Sequence, residues 1–133
     1  MVGKKKIVAC GQEYVLLDML ADDLVFRAKV VYLILSKDTE EALELLSQRY
    51  NVVKPKLKVG MPKRYSKNPA CYVGKNRMIH VSCREILGNP HVILHEFYHH
   101  LRNVTDAQGG IEKYADKFAA NYLQAYRKIT SET

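Results

Sequence analysis

The sequence predicts an α+β domain, with helices first, then a small sheet with a hairpin, then two further helices. Three observations predict it. Apolar residues recur at steps of three and four from Leu17 onward, Pro55, Pro62 and Pro69 punctuate the middle of the chain, and the last third returns to helical patterning. A chain of 133 residues, 47% apolar and 26% charged, has the make-up of one globular domain spanning residues 1–133. A domain of that size needs no metal or disulfide to stay folded, so a metal site within it is read as chemical rather than structural.

Each element has its own signal. Leu17, Leu20, Leu24, Ala28, Val31 and Leu35 form one buried helical stripe, which Asp22-Asp23 could divide into two shorter helices. Asp38 followed by Glu41 resembles a capping box, opening a helix through Ala42, Leu45, Leu46 and Tyr50. Leu57–Val59 reads as a short strand. Ala70–Val73 and Arg77–Ser82 read as two more, joined by Gly74-Lys75-Asn76 in a hairpin. Asn89-Pro90 is a helix start, with Asn as N-cap and Pro in the first helical position, and that helix runs to about Asn103. Gly109-Gly110 closes a short polar loop, and a last helix runs from about Ile111 to Arg127. Phe97, Phe118, Tyr122 and Leu123 are expected in the core.

Cys10, Cys71 and Cys83 are odd in number and contain no Cys-x-x-Cys pair, which excludes a zinc ribbon or thioredoxin-type motif and points to a reducing, cytoplasmic compartment. The basic start Met1–Lys6 is followed only by Ile7–Cys10, too short an apolar stretch for a signal peptide. Asp18, Asp22, Asp23, Arg27 and Lys29 exclude a membrane span between Tyr14 and Leu35. The net charge of +7 is uneven: no acidic residue lies between Glu44 and Glu85. The basic region 49–84, from Arg49 to Arg84, would attract nucleic acid or an acidic protein, or would simply be a solvated face.

His95-Glu96-Phe97-Tyr98-His99 is an HExxH motif inside a predicted helix. Residues four apart share a helix face, so the two imidazoles can bind one zinc ion while Glu96 reaches the edge where an attacking water sits. A third ligand and a partner that orients a histidine are also required. His99 lies about one turn before its helix ends, and Glu112 falls in the first turn of the next. In an antiparallel hairpin Glu112 stands level with His99, and Asp116 stands one turn along, beside His95. Ala115 and Ala119 are small enough to let the two helices approach closely. Asp106 has a spacing that fits no zinc motif. His100 points about 100° away from the site in an ideal helix, and His91 lies at the helix start. Both are read as structural or exposed.

His95-Glu96-x-x-His99 followed by Glu112-x-x-x-Asp116 resembles the gluzincin metallopeptidases. The run Glu112-Lys-Tyr-Ala-Asp-Lys-Phe-Ala-Ala120 is similar to the segment after the zinc motif in ImmA/IrrE-type proteins and the smallest soluble gluzincins. Met78-Ile79-His80-Val81 resembles the edge strand of those families. The resemblance covers about residues 70 to 125. Only 12 residues separate His99 from Glu112, fewer than in the larger members, which marks a minimal zincin-like scaffold. It implies a zinc-dependent endopeptidase acting on a protein or peptide, with His95, His99 and Glu112 on Zn2+ and Asp116 orienting a histidine. Glu96 would be general base and then proton donor, and the strand at 78–82 would pair with an extended peptide. His80, Tyr72 and Tyr98 are the candidates for stabilising the transition state. The alternative is a binding module that keeps the zinc scaffold and uses region 49–84 on nucleic acid, or a protease recruited to DNA.

Overall fold

The computed structural model describes the backbone of residues 11–106 and 111–131, and the side chains of residues 22–105 and 111–131. Within these residues the chain folds as α1 (Gly11–Leu35), α2 (Thr39–Tyr50), β1 (Lys56–Val59), β2 (Ala70–Val73), β3 (Met78–Val81), α3 (Pro90–Asp106) and α4 (Glu112–Ser131). Short 3₁₀ turns occupy Lys63–Tyr65 and Arg84–Gly88. This is the expected α+β order. Cys10, the Gly109-Gly110 loop and the side chains of Leu17, Leu20 and Asp106 lie outside the described residues.

The expected break at Asp22-Asp23 does not occur, and α1 is one helix. Asp23 is held in place by Arg27 one turn later (2.9 Å) and by Arg49 of α2 (3.2 Å), so its charge is compatible with a helix interior. The buried face also differs from the stripe read in the sequence. Ala28 and Val31 are buried as expected, but Val30 and Ile34 are buried with them, and Leu35 is exposed. The helix is covered by both α2 and α4, so its apolar face is wider than one stripe.

Asp38 precedes α2 but its side chain makes no capping hydrogen bond, so the capping box is not formed. The Thr39 hydroxyl instead donates to the Leu87 carbonyl, tying the helix start to the turn before α3. Asn51, in the left-handed conformation at φ 56°, ends α2, and the Val52 N–H closes back on Ser47 O at 3.0 Å.

The sheet has the order β1-β3-β2, with β1 parallel to β3 (Lys56↔Met78) and β2 antiparallel to it (Ala70↔Val81). The strand expected at the edge, residues 78–82, is therefore central, with both of its backbone edges paired. The sequence reading missed the crossover that lays β1 beside β3. The free edge next to α3 belongs to β2. The Ser82 N–H donates to Pro69 O at 2.8 Å, so Pro69, Cys71 and Val73 turn their backbone groups toward β3. In the alternation of an antiparallel pair, Ala70 and Tyr72 turn theirs outward.

Asn89 caps α3 as expected, its Oδ1 accepting the Val92 N–H at 3.2 Å. Both C-terminal helices run a few residues beyond their expected ends. On the side away from the cleft, Phe97 stacks on Phe118 with centroids 6.4 Å apart, and the Tyr50 and Tyr122 hydroxyls share a 2.6 Å hydrogen bond. Burying a ring such as Phe97 contributes on the order of 2–3 kcal/mol. Ala115 and Ala119 are fully buried. No helix of the described residues is long and apolar enough to cross a membrane.

The close approach of α3 and α4 makes a size prediction. Ala119→Leu should destabilise the protein by about 1–3 kcal/mol through overpacking, while exposed Lys117→Ala should change stability by less than about 0.5 kcal/mol. Urea unfolding of the two variants checks this; equal midpoints would contradict the packing.

Candidate metal centre

His95 and His99 lie one turn apart on α3, and Glu112 opens α4. Contacts between the helices run in opposite senses along the chain: His99 meets Glu112, while His95 meets both Glu112 and Asp116. The helices are therefore antiparallel neighbours. The Glu112 carboxylate lies between the two imidazoles, 2.7 Å from His95 Nε2 and 2.9 Å from His99 Nε2. One donor atom from each of His95, His99 and Glu112 falls within 4.8 Å of the other two, so the three could hold a metal ion.

The chemistry of the donors tests that fit. Asp116 Oδ1 lies 2.8 Å from His95 Nδ1, and a carboxylate can only accept, so Nδ1 carries the proton. With no second proton on the ring, Nε2 presents a lone pair directed at another acceptor, a Glu112 oxygen. Acceptors this close need a proton or a cation between them. Two donors bound to one tetrahedral ion at about 2.0–2.2 Å lie roughly 3.3 Å apart, so Glu112 would draw back by a few tenths of an ångström. Its side chain is 76% exposed and has room to do so.

Glu96 is buried at 8% exposure and lines the cleft beside Glu112. Burial pushes its carboxyl above the ordinary carboxylate range, while the neighbouring His95 and His99 pull it back down. The cleft runs between the free edge of β2 and the exposed side of α3. One lobe, of about 560 Å³, is bounded by Tyr65, Tyr72, Gly74 and Asn103. The other, of about 390 Å³, is bounded by Pro69, His91 and Asp116. Glu96 and Glu112 line both.

Of the candidates for a stabilising donor, Tyr72 lines the first lobe, but its hydroxyl lies 2.7 Å from His100 Nδ1 and accepts from Asn103 Nδ2 at 3.3 Å. His80 sits on central β3 with Nδ1 2.9 Å from the Gly60 carbonyl. Tyr98 packs its ring against His99 and Phe118. His100 is fully buried and structural: Nε2 donates to Val53 O at 2.7 Å, which leaves Nδ1 to accept from Tyr72. Burial holds its ring below the ordinary imidazole range, in keeping with a neutral tautomer. His91 is exposed, 3.8 Å from Asp116.

Three polar residues of the first lobe were not singled out in the sequence: Tyr65, Asn68 and Asn103. Asn103 was accessible to the same reasoning as the histidines, since it follows His99 by four residues and shares its face. Its amide approaches so closely that a Cβ on Gly74 would lie 2.8 Å from Asn103 Oδ1, which is why glycine occupies that position. Tyr65 and Asn68 sit in an irregular segment where periodicity carries no information.

The centre predicts stoichiometric metal uptake. Titration of the apoprotein should show about one divalent ion per chain, abolished by His95→Ala or His99→Ala and sharply weakened by Glu112→Ala without unfolding. Asp116→Asn should weaken it by about 10- to 100-fold. A chain that takes up no ion, or variants that match the wild type, would contradict the site.

No protein-family model, no curated protein and no solved structure matches this chain, so its chemistry rests on the residues described above.

Proposed function

We propose that the chain is a zinc-dependent endopeptidase. The observation that carries this reading is the convergence of His95, His99 and Glu112 on one point, with the buried carboxylate of Glu96 beside it in an open cleft. Two imidazoles and one carboxylate, with a side left open, form the donor set of catalytic zinc sites. Bound there, zinc would supply a Lewis acid that polarises the scissile carbonyl and acidifies a water.

The chain's own groups carry the remaining steps. Glu96 takes a proton from the attacking water and later delivers it to the leaving nitrogen. The water oxygen ends on the carbonyl carbon, the C–N bond breaks, and the products are a carboxylate and an amine. Asp116 holds the His95 ring by its Nδ1–H, leaving Nε2 as the ligand. The outward backbone groups of Ala70 and Tyr72 are available to pair with an extended substrate.

Glu96→Gln is the test. The variant should keep its fold and its zinc yet lose hydrolysis of an unstructured protein by at least about 10²-fold, the scale of general-base catalysis. Chelation should abolish wild-type cleavage, and added zinc should restore it. Comparable cleavage by both proteins would remove Glu96 from the reaction.

A further inference from the structure

We propose that the substrate is an acidic, extended peptide whose negative side chains flank the scissile bond on both sides. This rests on the peptidase reading and names the substrate class of the same cleft. The observation is the placement of cations at the two ends of β2. Lys63 and Arg64 lie on the 3₁₀ turn before it, and Lys67 follows, all exposed. Tyr65 and Asn68 of that same segment line the cleft, so each of these cations lies within two residues of its wall along the chain. At the other end, Lys75 and Arg77 are exposed in the hairpin turn, next to Gly74, which lines the first lobe.

These five cations make no ion pair among the described residues. The chain from Lys67 to Lys75 spans at most roughly 27 Å, the length of about eight extended residues. A peptide lying along β2 would therefore place its outer side chains at both cationic ends and its central bond at the triad.

Lys56 and Lys58 extend the positive field to β1, at the opposite edge of the sheet, so a nucleic acid is the rival occupant. The carboxylates of the groove argue against it. Glu112, which lines both lobes, is 76% exposed, and Asp116 of the second lobe is 59% exposed. A phosphate backbone carries charge at every step and would meet them, whereas a peptide can carry its charges only at the ends.

The test uses zinc-loaded protein and three sets of labelled peptides with one common central sequence. The outer positions on both sides are Glu, Gln or Lys. Exposed ion pairs are individually weak, so several together should give the Glu set about a tenfold higher kcat/KM than the Gln set. The preference should shrink as salt rises from about 0.05 to 0.5 M. Lys63→Glu with Lys67→Glu should remove the preference on one side of the bond, and Lys75→Glu with Arg77→Glu on the other. Equal cleavage of the Glu and Gln sets, or preference for Lys, overturns the proposal. If no peptide is cut, the peptidase reading is what fails, and the charge preference is read from binding. Fluorescence polarisation with zinc-loaded Glu96→Gln protein should then show the Glu set bound about tenfold more tightly than the Gln set. Equal binding overturns the acidic-peptide assignment, as does tighter binding of a single-stranded oligonucleotide of the same net charge.

Discussion

The antiparallel contact between α3 and α4 fixes everything at the metal centre. Glu112 and Asp116 are exposed side chains with no burial of their own to hold them. They reach His95 and His99 because Ala115 and Ala119, fully buried, leave no bulk between the helix axes. The stack of Phe97 and Phe118 behind them resists rotation of either helix about its axis. A slip of one residue along α4 would turn its carboxylates by about 100° and separate them from the imidazoles.

A second set of contacts sets the width of the cleft by joining α3 to the free edge of the sheet. His100 faces away from the metal centre, bonded to Val53 O and to the Tyr72 hydroxyl, while Asn103 donates to Tyr72 and to Gly74 O. Adjacent histidines, about 100° apart on one helix, thus serve different surfaces: His99 the centre and His100 the scaffold. Burial disfavours the charged ring of His100, and its two hydrogen bonds define one neutral tautomer. The Tyr72 hydroxyl is engaged on both sides by this scaffold, and Tyr72 also lines the cleft.

Charge is distributed in a pattern that neither the sheet nor the helices require for folding. Carboxylates line the cleft, and exposed cations lie in the segments before and after β2. Carboxylates at a point where a divalent cation fits lose their mutual repulsion when it binds. Those cations gain nothing from it. They remain solvated in the isolated chain, where like charges at such spacing are screened but not neutralised.

The sequence by itself determined most of the helices, the hairpin and the grouping of His95, His99 and Glu112, because these depend on local rules. The i, i+4 spacing of His95 and His99, the Asn89-Pro90 start and the length of the loop before Glu112 specify which groups can share a face and which stand level across a hairpin. Local rules did not decide which strand would be the edge. Met78–Val81 became central because β1, distant in sequence, pairs parallel to it, and that crossover leaves no mark in strand periodicity. Nor could they show that Val30 and Ile34 would be buried and Leu35 exposed, since that depends on α1 being covered by two helices at once. Tyr65 and Asn68 reached the cleft for the same reason: an irregular segment acquires its position only from the surfaces it crosses.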